Sequence, residues 1–260
     1  MDYVALGKTN ILASKTAFSA LSLECREIQV FGEYADEKAV NLVKQAYENG
    51  INFFDVSHAK PIAEKRLGAA ILEVRQNVCL SARSLCTTGS ELRSDLAEIL
   101  DALGTDYIDV LQIQDPAVLP KPDGADGLYN ALQDLKSRNI IRAFGVVTES
   151  IDLAREVIES QLFDVVQFPF SVISGPAVEK VVKLAEEKGV GCLGMEPLNG
   201  GMVLNIPLAY GYLNQFENLV PVWGVRTQEE LQQLMYFVQH PPVIDEKFQE
   251  EVLHEQRFYE

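Results

Sequence analysis

GINFFDVSHAKPIAE, residues Gly50–Glu64, changes structural period twice. Just before it, Asn49-Gly50 stops a helix whose one face carries Ala39, Val40, Val43, Ala46 and Tyr47, with Asp36 expected as its cap. Asn52–Val56 is a short apolar run with aromatic and branched side chains, which reads as a buried strand. A polar loop carrying His58 and Lys60 follows, and then an amphipathic helix over Ala63–Leu72. Helix, buried strand, loop and helix form the repeating unit of a parallel sheet covered by helices.

Working outward, the same unit recurs. Further strands are expected at Thr16–Leu21, Val78–Ala82, Tyr107–Ile113, Ile141–Val146, Val165–Phe168, Gly191–Met195 and Leu219–Trp223. Helices are expected between them at Ser90–Leu103, Gly127–Ser137, Ile151–Ser160, Pro176–Lys188 and Thr227–Val238. Leu204–Phe216 is helical in pattern but interrupted by Pro207 and Gly211. Eight strand–helix units predict an α/β fold of the closed (β/α)8 TIM-barrel type better than an open sheet. Residues 2–12 are expected as an N-terminal hairpin at the barrel bottom. Asp245–Arg257 is expected as a C-terminal extra helix, with Phe248, Val252 and Leu253 inward. No linker or low-complexity tract divides the chain, so residues 1–260 are read as a single domain.

The net charge of −16 excludes general binding to nucleic acid, whose phosphates would be repelled. No apolar stretch reaches the length of a membrane span, and the amino terminus lacks the pattern of a secretory signal. Cys25, Cys79, Cys86 and Cys192 are scattered without metal-type spacing, so no metal site is expected. They read as reduced thiols of a cytoplasmic protein, with Cys79 and Cys192 as small core residues.

Several motifs stand in a fixed order: LGKTNILAS at Leu6–Ser14, GINFFD in the opening stretch, LGTDYIDVLQI at Leu103–Ile113 and IIRAFGVV at Ile140–Val147. FDVVQFPFS at Phe163–Ser171 and GVGCLGMEPLNGGM at Gly189–Met202 complete the series. Together they resemble the aldo-keto reductase superfamily, whose signature reads GINFFDTAxxYGxSE. The wording is closest to a bacterial and archaeal branch of predicted oxidoreductases. That branch often carries an iron–sulfur tail, which is not expected here because no cysteine follows Cys192. The resemblance implies NADP(H) bound across the barrel top, and hydride transfer to an aldehyde or ketone. A tyrosine would protonate the alkoxide, a lysine paired with an aspartate would lower that tyrosine's pKa, and a histidine would orient the substrate.

On this sequence the resemblance places Asp55 at the aspartate position, closing the second strand. The tyrosine position holds Lys60, the lysine position Arg83 and the histidine position Gln114. Arg83 is expected to form a two-pronged bridge to Asp55, but it does not release its proton. Gln114 hydrogen-bonds without titrating. Lys60 is a candidate base, imine-forming amine or anion ligand, and His58 is a candidate acid–base group. Their structural alternatives are a solvated loop lysine and a surface histidine.

The implied cofactor site is eroded as well. Ala17–Glu24, AFSALSLE, lacks the glycines that let a nicotinamide approach the backbone. Val147-Thr148 replaces the family's Ser-Asn, and Glu196 stands where a lysine is common. Gln167 matches a carboxamide ligand, and Gly224, Arg226 and Thr227 match the adenosine-phosphate segment at the start of the last helix. Thr227 and Glu230 also fit an ordinary capping box. Three outcomes are therefore expected in order. The first is a barrel without standard carbonyl reduction, binding NADP(H) weakly or not at all and holding a small anion or running lyase, isomerase or cyclase chemistry. The second is an NADP(H)-dependent oxidoreductase with a reworked acid, and the third a regulatory scaffold.

Overall fold

The computed structural model describes residues 1–259. A hairpin opens the chain, β1 (Tyr3–Ala5) with β2 (Leu12–Ser14), and β3 (Ala17–Ser19) begins the barrel. There follow α1 (Arg26–Gln29), α2 (Ala35–Glu48), β4 (Phe53–Ser57), α3 (Pro61–Ile71), β5 (Cys79–Ser84), α4 (Gly89–Leu103) and β6 (Ile108–Gln114). The second half runs α5 (Leu128–Ser137), β7 (Ile141–Val147), α6 (Ile151–Ser160), β8 (Val165–Pro169), α7 (Gly175–Lys188) and β9 (Gly191–Met195). It ends α8 (Ile206–Asn214), β10 (Leu219–Trp223), α9 (Gln228–Gln239) and α10 (Glu246–Tyr259). Strands β3 to β10 close into a parallel barrel, β10 pairing β3 through Val222↔Ala17 and Trp223↔Phe18.

Two apolar cores follow from the alternation of side chains along each strand. One lies between barrel and helices and includes Phe54, Leu80, Leu111, Phe144 and Phe168. The other fills the lower barrel with Phe53, Cys79, Val110, Val165 and Val220, and the hairpin residues Leu6, Ile11 and Ala13 pack with it. Burial pushes the Cys79 thiol up to about 12 and the Cys86 thiol up to about 11, so both stay protonated at neutral pH. All four cysteines are free.

The structure departs from local expectation at defined points. The first barrel strand stops at Ser19 because the chain turns into a 3-10 helix, Ala20–Glu24. The Ser22 hydroxyl holds that turn through Ser19 O at 2.8 Å and Val225 O at 2.6 Å. Asp36 is not the cap of α2. Tyr34 takes that position, and the Asp36 carboxylate accepts from Arg66 Nε at 2.7 Å. Pro207 and Gly211 do not interrupt α8. Pro207 sits in its first turn, where no donor is needed, and Asn205 caps Leu208 N at 3.1 Å. Gly211 lets α10 approach, since a Cβ there would meet the Phe248 ring at 2.8 Å. On α10, Phe248 and Val252 are buried as expected, whereas Leu253 is exposed.

Candidate active site

Two residues above the apolar floor, the inward positions become polar. Phe53 is followed by Asp55, Cys79 by Ser81, Val110 by Gln112 and Val165 by Gln167, all four fully buried. Asp55 lies mid-strand in β4 rather than at its end. Its Oδ1 accepts from Ser81 Oγ at 2.9 Å, and its Oδ2 accepts from Gln167 Nε2 at 3.3 Å and from the Arg83 guanidinium. Gln112 Nε2 donates to Ser81 Oγ at 2.8 Å and to Gln167 Oε1 at 2.6 Å. An ionised carboxylate only accepts, so Gln167 must turn its amide nitrogen to Asp55. That orients Gln112 in turn and leaves Gln112 Oε1 buried without a partner.

Arg83 meets Asp55 through one guanidinium nitrogen, not two, and its Nε is buried and unpaired. The expected two-pronged bridge is not formed: Asp55 Oδ1 is bonded to Ser81 and not to Arg83. Gln114, at the end of β6, is half-buried, and its side chain makes no hydrogen bond among the described residues. Lys60 is exposed at the start of α3, with no side-chain hydrogen bond or ion pair among the described residues. Glu64 does not neutralise it. Glu64 is buried and faces His58 Nδ1 at 3.3 and 3.4 Å, while His58 Nε2 lies 3.6 Å from Glu98. Burial pushes the Glu64 carboxyl above the usual carboxylate range, and the His58 ring only partly offsets this. The polar layer thus unites Asp55 and Arg83 and leaves Lys60 and Gln114 outside its hydrogen bonds, while the His58 side chain stands apart from it, facing Glu64 and Glu98.

Two of the implied cofactor residues, Gln167 and Arg226, already have partners within the chain, while Arg226 and Thr227 also line a surface pocket with Phe31 and Lys38. Gln167 spends both ends of its carboxamide on Asp55 and Gln112. Arg226 pairs with Glu230 at 2.7 Å and Glu27 at 3.4 Å. Thr227 caps α9 by accepting from Glu230 N at 3.2 Å, but the Glu230 carboxylate returns to Arg226 N at 2.8 Å and not to Thr227, so the box is incomplete. Gly224 is exposed beside them, and a side chain there would meet open space. Thr148 is buried, and Glu196 is exposed just past β9. On these contacts a nicotinamide dinucleotide would compete with Asp55 and Gln112 for Gln167 and with Glu27 and Glu230 for Arg226. Ser81 and Gln112 were not expected from sequence, although a glutamine inside the apolar run YIDVLQI was the available signal. Among the described residues no group of three His, Cys, Asp or Glu side chains is placed to hold a metal ion. No helix is long and apolar enough to cross a membrane.

The closed parallel barrel agrees with the comparisons to known proteins. The Aldo/keto reductase family profile matches residues 27–207, and the chain belongs to that family. L-galactose dehydrogenase of Arabidopsis thaliana is 27% identical over 214 residues, covering 76% of this chain and 66% of that protein. D-threo-aldose 1-dehydrogenase of Pseudomonas sp is 22% identical over 209 residues, covering 67% of this chain and 64% of that one. The chain spans about two thirds of the length of these relatives. Among solved structures, the holo form of an aldo-keto reductase from Bacillus halodurans superposes with a TM-score of 0.81 at 18% identity. It covers 98% of this chain and 96% of that one. A thermostable aldo-keto reductase in complex with the inhibitor epalrestat gives 0.80 at 18% identity, covering 97% and 98%. At that identity the likeness speaks for the fold.

Proposed function

We propose that this aldo-keto reductase barrel does not carry out the standard NADP(H)-dependent carbonyl reduction, and that its mouth binds a small anionic compound or runs non-redox chemistry on it. The observation that carries this reading is the closed polar layer. Asp55 is surrounded by Arg83, Ser81 and Gln167, none of which donates a proton near neutral pH. Lys60, at the acid's position, stands outside that layer's hydrogen bonds. Gln167 and Arg226, the two residues best matched to a dinucleotide, are engaged by Asp55, Gln112, Glu27 and Glu230. The anion reading rests on the exposed Lys60, with Arg83 as the second positive charge of the site. Four free thiols favour a reducing compartment such as the cytoplasm.

Titration calorimetry with NADPH should give a dissociation constant weaker than about 1 μM, roughly −8 kcal/mol. Aldehyde reduction should stay at background, and Lys60→Tyr alone should not raise it, because Arg83 and Gln114 remain. Clear turnover of a common aldehyde by the native chain sinks the proposal. A thermal-shift screen of carboxylate and phosphate compounds on the native chain and Lys60→Ala tests the anion. Equal shifts for both proteins would remove Lys60 as its ligand. A second reading, an NADP(H)-dependent oxidoreductase with a reworked acid, is favoured by Arg226 at the start of α9 and by relatives named dehydrogenases.

A further inference from the structure

On the outer wall, α1, the turn after it, α2 and the start of α9 enclose a cavity of about 370 Å³. Small-molecule sites commonly measure about 300–1,000 Å³. None of Asp55, Lys60, Arg83, Gln114 or Gln167 lines this cavity, so it is separate from the polar layer and the mouth. Its floor is apolar, with Ile28 and Leu42 only 2% and 4% exposed. Two aromatic side chains also line it, Phe31 at 44% and Tyr34 at 60% exposure. The backbone fixes both, since Phe31 N donates to Ile28 O and Tyr34 N to Phe31 O, each at 3.1 Å. Large rings left in water beside an apolar floor mark a surface that gains by being covered.

The charges of the lining balance, Lys38 and Arg226 against Glu37 and Glu229. The Lys38 ammonium already stands over the Phe31 ring, 5.0 Å from its centroid, and so takes the place on that face that a cationic ligand would need. Arg226 is held by Glu230 and Glu27, whose carboxylates would repel an anion. The other polar groups of the lining include the carboxamides of Asn41, Gln45 and Gln228, each with a donor and an acceptor. We propose that this cavity binds a flat, uncharged aromatic heterocycle, whose ring packs on Phe31 and Tyr34 and whose polar edge pairs with one or more of these amides. It is a second site, and it does not depend on what the mouth binds.

Indazole is the probe, a neutral bicyclic ring with one N–H donor and one nitrogen acceptor. Benzoate and benzamidine are its anionic and cationic counterparts. Methyl NMR of the native chain locates binding, because Ile28 and Leu42 report from the floor. Indazole should shift both residues with a dissociation constant of about 1 mM or tighter. Benzoate and benzamidine should bind about tenfold more weakly, each meeting a like charge in the lining. Phe31→Ala and Tyr34→Ala should each weaken indazole by about tenfold, through lost ring contact. Unmoved Ile28 and Leu42 signals, an unchanged affinity in both variants, or tighter binding of either charged probe overturns the proposal. Displacement of indazole by NADPH also overturns it, by making the cavity part of a dinucleotide site. Circular dichroism checks the fold of the variants. Should either unfold, the methyl shifts and the ranking of the three probes on the native chain decide the matter.

Discussion

Arg83 is the cation that lets Asp55 sit fully buried, so its replacement tests the polar layer at a single residue. Ser81 and Gln167 donate hydrogen bonds but no charge, so a chain without Arg83 holds a carboxylate with no counter-ion. Breaking a buried pair from one side costs about 3–5 kcal/mol, because the remaining charge has lost both water and partner. Arg83→Met should lower the unfolding free energy in urea by that amount. Adding Asp55→Asn should restore part of it, since an amide needs no counter-ion. A single variant as stable as the native chain would mean that Ser81, Gln167 and water suffice to hold the charge.

Among the helices, α4 has the most complete amino-terminal cap. Thr88 Oγ1 accepts from Glu91 N at 3.2 Å, and Glu91 Oε2 returns to Thr88 N at 3.1 Å. The same carboxylate takes Thr87 N at 2.8 Å, and these bonds hold Glu91 below the usual carboxylate range. Helix α4 packs between α3 and α5 and carries Glu98, so its first turn helps set the wall beside His58. Thr88→Ala should destabilise the chain by about 1 kcal/mol, measured by chemical denaturation. The interior of the barrel is less tolerant. A Cβ on Gly145 of β7 would strike the Val165 carbonyl on β8, so the neighbouring backbone would have to shift.

For the whole molecule, the buried Glu64 links stability to pH. Its carboxyl is raised in the folded chain above the ordinary value of 4.5, so the native state keeps a proton that the unfolded chain has already released. The contribution is fully present below that ordinary value and is lost as pH rises through the raised one. Glu64→Gln has no proton to release. Its unfolding free energy should therefore fall less than that of the native chain across this window, as read from urea titrations at successive pH values. Parallel curves for the two proteins would show that Glu64 titrates alike in the folded and unfolded states. The other acidic groups behind the net charge of −16 titrate in both proteins and cancel in the comparison.

How much of this was legible in the residues depends on the range over which each feature is encoded. The eight strands and their helices follow from period-2 and period-3.6 patterns a few residues long, and those patterns are visible in segments such as Gly50–Glu64. The replacements at positions 60, 83 and 114 were equally plain, because each lies in a short motif of its own. The early end of β3 was not legible, since Ser22 is drawn into a turn by Val225 at the far end of the chain. Nor was the isolation of Lys60 from Asp55, because one loop's spacing says nothing of which way its side chains turn. The polar layer was decided by closure alone. Asp55 and Gln167 are 112 positions apart, and only the register of eight strands brings their side chains together over one apolar floor. Local pattern sets which residues face inward, whereas the partners they find inside depend on how distant strands align around the barrel.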